Sequence, residues 1–149
     1  MSTQTDTSQA PALPTANADQ ARLAELQSQL EALHRSQAVI EFQPDGTILG
    51  ANDNFLTAMG YRRDEIVGKH HSMFVQAEER ASPEYRRFWI DLAAGKFQAG
   101  EFKRIAKGGR EVWIQASYNP VLDASGRPCK VVKFAADITA AKQRAADWQ

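Results

Sequence analysis

Two adjacent histidines, His70 and His71, are the side chains in this sequence best suited to binding chemistry. An imidazole ring binds metals and heme iron and changes its charge near neutral pH, so either residue could hold a cofactor or titrate. Two neighbouring side chains cannot both face one pocket, so at most one of them belongs to a binding site. The alternative for each is a structural histidine, hydrogen-bonded within the fold.

No enzyme motif accompanies these histidines. The sequence has no Gly-rich phosphate loop, no Gly-x-Ser-x-Gly, no Cys-x-x-Cys and no His-Glu-x-x-His. Nothing near the one cysteine, Cys129, suggests activation of its thiol, and a single cysteine forms no intrachain disulfide. We therefore expect no catalytic residue and no metal site, and a chain that works in a reducing compartment, the cytoplasm.

The overall composition predicts one ordinary globular domain. The chain has 149 residues, of which 43% are hydrophobic and 24% charged. Eighteen basic side chains balance eighteen acidic ones, so no net field favours nucleic acid or an anionic membrane. No apolar run reaches the length of about eighteen residues that a membrane helix needs. We expect neither nucleic-acid binding nor a membrane segment within these residues.

The first part of the chain predicts a tail and a helix. Residues 1–17 are rich in Ser, Thr, Gln, Pro and Ala, and ordering them would bury almost nothing, which predicts a disordered tail. Residues 18–37 are predicted to form an amphipathic helix with a leucine stripe spaced three, four and three residues apart. The stripe consists of Leu23, Leu26, Leu30 and Leu33. We predict homodimerisation through this helix, with a helix folded back on its own domain as the alternative.

From residue 38 the apolar period changes to two, which predicts strands. A hairpin around residues 44–46 and several short helices come first, and the helix with the clearest end signals follows, with Ser82 as its N-cap and Gly95 after its last turn. Three long strands then form a meander, and residues 140–149 begin another helix. This order predicts an α+β domain at 38–139, a five-stranded antiparallel sheet with helices on one face and a pocket between them.

The motifs of residues 38–139 resemble a PAS domain, and more narrowly the PAS sensory domains of bacterial chemoreceptors of the aerotaxis type. The motifs that carry this resemblance are Asp-Gly-Thr-Ile (45–48), Ala-Asn-Asp-Asn-Phe (51–55), Met-Gly-Tyr (59–61), Glu-Ile-Val-Gly-Lys-His-His-Ser-Met-Phe (65–74), Phe-Trp-x-x-Leu-x-x-Gly (88–95), Lys-Gly-Gly-x-x-x-Trp (107–113) and Asp-Ile-Thr (137–139). The resemblance implies a signal-transduction module that senses redox state or oxygen and relays the change through its terminal helices to a signalling domain after residue 149. A cofactor-free module for dimerisation or protein interaction is the alternative.

The resemblance also implies a cofactor and its site. His71 falls where flavin-type light sensors keep their reactive cysteine, and where the aerotaxis receptor has a histidine two residues before Met73. Trp89 matches a tryptophan that packs against a flavin ring, although a plain core aromatic is the alternative. The implied cofactor is FAD, with heme b on His71, or no cofactor, as alternatives. The implied site consists of His71, Met73, Phe74, Trp89, Arg104, Ile114 and Ala116.

The sequence also departs from the flavin patterns. The light-sensor cysteine is absent, which excludes photochemical adduct formation, and Arg104, Ile114 and Ala135 replace polar residues that would bond a flavin ring. Glu65 and Lys107 resemble an acid and a base that pair across PAS domains. One face of the predicted central strand is mostly apolar and would suit heme or a small apolar signal. That face consists of Val112, Ile114, Ala116 and Tyr118.

Overall fold

The computed structural model describes residues 16–147. The first helix, α1, spans Ala16–Ser36, so its ends lie one or two residues from those predicted, within the usual fraying of helix ends. The rest of the predicted tail lies outside the described residues. By its internal contacts, α1 up to Leu33 is one compact unit and the chain from His34 onward is another.

Residues from Ala38 onward form the predicted five-stranded antiparallel sheet, and the predicted fold class is confirmed. The strand order is β2-β1-β5-β4-β3, so the first and last strands of the chain, β1 and β5, pair at the centre. The strands are β1 Ala38–Phe42, β2 Ile48–Ala51, β3 Gln98–Ile105, β4 Glu111–Leu122 and β5 Pro128–Asp137.

The short helices between β2 and β3 pack on one face of this sheet. Their ends follow the capping residues of the sequence: the Asn52 side chain accepts a hydrogen bond from the Phe55 amide at 3.0 Å, and the Ser82 hydroxyl accepts one from the Tyr85 amide at 3.1 Å. The helices are α2 Asp53–Met59, α3 Arg63–Ile66, α4 Ala77–Arg80, α5 Pro83–Ala93 and α6 Thr139–Asp147, with 3₁₀ turns at His71–Phe74 and Lys107–Gly109. None of the helices in residues 16–147 is long and apolar enough to cross a membrane.

The core lies between the helices and the inward face of the sheet. On β4 the alternating residues Val112 to Tyr118 are buried, as their period of two predicts. Helix α5 buries Tyr85, Trp89 and Leu92. On β5 the same alternation buries Val131, Lys133 and Ala135, and it therefore carries a lysine into the core.

An ion pair joins α3 to the turn between β3 and β4. Lys107 Nζ donates to Glu65 Oε2, and Glu65 Oε1 accepts from the Arg62 amide at 2.8 Å. The hydrogen bond from Lys107 lowers the pKa of the Glu65 carboxyl. This is the pair that the resemblance implies. Both side chains reach solvent, so the pair positions α3 more than it stabilises the fold.

Helix α6 is hydrogen-bonded to the start of β4, a connection we call the α6 junction. The Ile138 amide donates to the Trp113 carbonyl at 2.8 Å, and the Trp113 amide donates to Thr139 Oγ1 at 3.0 Å. One turn further along, Lys142 Nζ lies 2.6 Å from Glu101 Oε2 on β3 and 4.8 Å from the centre of the Trp113 ring. The direction in which the chain leaves the domain therefore depends on the position of β4.

Candidate functional site

The two histidines take different environments, as adjacent side chains must. His70 lies at the edge of the domain, where its Nδ1 accepts from the Ser72 amide at 3.0 Å and its Nε2 lies 2.8 Å from the Asp45 carbonyl. His71 begins the following 3₁₀ turn and is fully buried. His70 is therefore the structural member of the pair, and His71 is the interior one.

His71 is hydrogen-bonded at both ring nitrogens. Its Nδ1 lies 2.7 Å from Tyr85 Oη and its Nε2 lies 3.0 Å from Tyr118 Oη. Tyr118 Oη in turn accepts from Arg104 Nη2 at 3.1 Å. We call these four residues the His71 chain: Arg104, Tyr118, His71 and Tyr85.

The donors and acceptors of the His71 chain run in one direction. Because Tyr118 Oη accepts from Arg104, its own O–H is available to donate to His71 Nε2. A neutral imidazole then carries its proton on Nδ1 and donates it to Tyr85 Oη. Burial, with the positive charges of Arg104 and Lys133 nearby, holds the pKa of His71 well below its ordinary value, so the ring is neutral. Burial also raises the pKa of Tyr85 to about 12.

Aromatic rings fill the space around His71. The centres of the Trp89 and Phe42 rings lie 5.3 and 5.4 Å from the centre of the imidazole, and Phe74 lies at 6.0 Å. At the other end of the hydrogen bond from His71, the centre of the Tyr118 ring lies 4.8 Å from the centre of the Phe88 ring. Trp89 Nε1 is buried without a hydrogen-bond partner among the described residues.

Apart from the tyrosine hydroxyls and the Trp89 indole, the buried polar side chains of the described residues are all basic: His71, Arg104 and Lys133. Lys133 Nζ lies over the rings of Tyr118 and Phe55, 4.9 and 5.8 Å from their centres. Burial and the charge of Arg104 hold the pKa of Lys133 well below its ordinary value. A carboxylate does reach Arg104, but it belongs to Glu79, whose side chain is 45% exposed.

The residues of the implied cofactor site differ in their surroundings. His71, Phe74 and Trp89 lie together around the 3₁₀ turn, and Arg104 joins them through Tyr118. Ile114 and Ala116 are buried further along β4, while Met73 is half-buried. Sequence reasoning did not propose Tyr85 or Lys133 for the site, and it placed Tyr118 only on the mostly apolar face of the central strand. The alternation along the strands could have indicated two of them, since Lys133 on β5 and Tyr118 on β4 both occupy positions that face the core.

As packed, His71 leaves no ring nitrogen free to bind a heme iron, because both are engaged by tyrosines. Phe88 packs edge to face against both Trp89 and Tyr118, so aromatic rings occupy the interior beside His71. A surface groove of about 450 Å³ reaches Tyr85 and Trp89 from the side of His70, but His71 lies beneath it with no exposed surface.

Comparison with known proteins agrees with this fold. A family model described as the PAS fold matches residues 48–135, which includes four of the five strands and the His71 chain. The chain belongs to the PAS family. The PAS domain prediction made from the motifs is thereby confirmed.

The segments that match this PAS domain in its relatives are parts of longer proteins. It is 49% identical over 115 residues to the biofilm dispersion protein BdlA of Pseudomonas aeruginosa, a match that covers 77% of this chain and 28% of BdlA. It is 28% identical over 111 residues to phototropin-2 of Oryza sativa subsp. japonica, covering 74% of this chain and 12% of the relative. The PAS domain therefore spans less than a third of either curated relative.

Among solved structures, a light-oxygen-voltage domain studied with a flavin analogue superposes with a TM-score of 0.65 at 21% identity, covering 79% of this chain and 90% of the other. At this identity the likeness concerns the fold alone.

Proposed function

We propose that this PAS domain is a non-catalytic sensory relay, in which the His71 chain is the input element and the α6 junction is the output. The observation that carries this proposal is the course of β4. Tyr118 on β4 links Arg104 to His71, and Trp113 on the same strand holds Ile138 and Thr139. A change in the interior that moves Tyr118 would therefore move the strand that fixes α6.

The neighbouring strands support such a relay. Tyr118 pairs with Lys133 on β5 and with Gln98 on β3, so its position is coupled to strands on both sides. Tyr118 lies five positions along β4 from Trp113, about 17 Å of strand. Over that distance a direct contact is excluded, and the coupling is carried by the hydrogen-bonded sheet.

Amide hydrogen exchange tests this relay. His71→Gln keeps a polar side chain but disturbs the bonds to both tyrosines, and we expect exchange at the Ile138 and Lys142 amides to rise about fivefold, a coupling of about 1 kcal/mol. His70→Gln is the matched control, since half-buried His70 lies beside the same turn but bonds the Asp45 carbonyl and the Ser72 amide instead of the two tyrosines. Normalising to core amides of β1 removes the effect of global unfolding. Equal changes at Ile138 in the two variants would contradict the relay.

Our proposal for the input is a cofactor-free interior, the alternative that the resemblance left open, because side chains fill the space beside His71. Redox or oxygen sensing through FAD or heme b is the competing function, which the resemblance to PAS domains of the aerotaxis type favours. Purified from a cofactor-replete host, the protein is expected to show neither a flavin band nor a Soret band in its absorption spectrum. A stoichiometric flavin or heme would contradict the cofactor-free interior.

We further propose that the domain works in the cytoplasm as a homodimer through α1, upstream of a signalling domain. The support is the leucine stripe, because Leu23, Leu26 and Leu30 are 57%, 49% and 52% exposed at coiled-coil spacing. Leu26→Glu with Leu30→Glu should halve the mass in solution. Ala24→Glu with Ser28→Glu adds the same charge off the stripe and should leave the dimer intact. A monomeric wild type would overturn the dimer.

A further inference from the structure

We propose that the guanidinium of Arg104 is the binding site for a small organic carboxylate, and that the Glu79 side chain occupies this site in the resting state. The proposal deepens the sensory function, since Arg104 is the first member of the His71 chain and the carboxylate would be its input. It rests on the contacts of Arg104, on the charge of the interior and on the weak attachment of α4.

Arg104 is a built anion site with spare donors. The side chain is 2% exposed and its guanidinium lies 4.8 Å from the centre of the Phe102 ring, which fixes its plane. Nη2 donates to Tyr118 Oη at 3.1 Å and Nη1 donates to the Lys103 carbonyl at 3.1 Å. Nε is buried without a partner among the described residues. A buried donor left unpaired is costly, and a small carboxylate that accepts from Nε, which Glu79 at Nη1 leaves unbonded, would remove that cost.

The charge around Arg104 favours an anion. Lys133 and His71 are the other buried polar residues in the described chain, and the positive charge of Arg104 acts on both. Within residues 16–147 no carboxylate is buried. The carboxylate near Arg104 is that of Glu79 at the surface, and an incoming anion that paired with Arg104 in its place would offset its own loss of hydration.

Glu79 has the properties of a displaceable occupant. Its Oε1 lies 3.5 Å from Arg104 Nη1, longer than a good hydrogen bond, and its side chain is 45% exposed. It belongs to α4, a single turn that buries no residue and has no side-chain cap at its start. Withdrawal of the Glu79 side chain from Arg104 therefore costs little packing.

Titration with small anions tests this site. Binding of sodium acetate and sodium propionate is followed by the amide signals of α4 and by the melting temperature, with sodium chloride and sodium phosphate at matched ionic strength as comparisons. We expect saturable binding of the carboxylates only. Glu79→Gln removes the internal competitor and should tighten binding about two- to fivefold. Glu78→Gln, on the same helical turn, is the matched control and should leave the affinity unchanged. Arg104→Lys, which keeps the charge but loses the planar fork, should weaken binding at least tenfold.

Three results would overturn the site: no saturable carboxylate binding, an equal response to chloride or phosphate, or an affinity that Glu79→Gln leaves unchanged. If Arg104→Lys does not fold, the comparison of Glu79→Gln with Glu78→Gln decides alone. Amide exchange at Ile138 in the same samples separates this proposal from the relay. Carboxylate binding that leaves amide exchange at Ile138 unchanged would support the Arg104 site and contradict the relay. A response of Ile138 to His71→Gln in the absence of any carboxylate binding would support the relay and contradict the Arg104 site.

Discussion

Tyr118→Phe is expected to lower the free energy of unfolding by about 2 to 4 kcal/mol, a large effect for the loss of one oxygen atom. The hydroxyl is the shared partner of two buried groups, His71 Nε2 and Arg104 Nη2. Phenylalanine fills the same space but bonds neither of them. Each buried group left without a partner costs about 1 to 3 kcal/mol, and a charged one costs more.

Urea unfolding measures this loss, and two other tyrosines calibrate it. Tyr85→Phe removes a hydroxyl whose described partner is His71, so its cost should be smaller than that of Tyr118→Phe. Tyr61 is half-buried, and its hydroxyl has no hydrogen-bond partner within residues 16–147. The free energy of unfolding of Tyr61→Phe should therefore stay within about 0.5 kcal/mol of the wild-type value. A cost for Tyr118→Phe no greater than that for Tyr61→Phe would contradict the His71 chain.

Lys133→Met is expected to raise the free energy of unfolding near neutral pH by about 1 to 3 kcal/mol. Methionine has a similar length and needs no hydrogen bond in the apolar surroundings of Tyr118 and Phe55. Burial holds the pKa of Lys133 well below 10.5 in the folded state. At neutral pH the unfolded chain therefore binds the lysine proton more tightly than the folded one, which opposes folding.

The pH dependence of this gain identifies its cause. Between the lowered pKa of folded Lys133 and the ordinary value of 10.5, wild-type stability should rise with pH relative to Lys133→Met, because the unfolded state holds more protons in that range. The advantage of the variant should thus shrink as pH approaches 10.5 and stay level above it. Lys130→Met is the control on the same strand, since Lys130 reaches solvent and pairs with Glu41. An advantage of Lys133→Met that does not vary with pH would show that packing, not charge, causes it.

The fold could be predicted from the sequence because its signals are local. The period of two along β4, the cap at Ser82 and the turns between the strands each depend on a few neighbouring residues. The shared motifs also predicted the family, since they mark turns and helix ends that every member needs. The resemblance likewise predicted the pairing of Glu65 with Lys107.

The site could be predicted only in part, because its contacts join distant segments. His71 and Trp89 were found from residue type and resemblance, but the bond between His71 and Tyr118 links positions 47 residues apart. Lys133 was missed because lysine is almost never fully buried, and that expectation conflicts with its inward phase on β5. The cofactor prediction rested on motifs that shape the backbone, whereas the space for a cofactor depends on side chains from the 3₁₀ turn, α5 and β4 together.

The central claim is that the His71 chain and the α6 junction are energetically coupled, and a double-mutant cycle between His71→Gln and Thr139→Ala measures that coupling directly. His71 bonds Tyr85 and Tyr118, whereas Thr139 bonds Trp113 and Asp137, so the two residues share no described hydrogen-bond partner. Distant sites without shared partners normally add within about 0.5 kcal/mol. We expect unfolding free energies that deviate from additivity by about 1 kcal/mol, and additive values would contradict the relay.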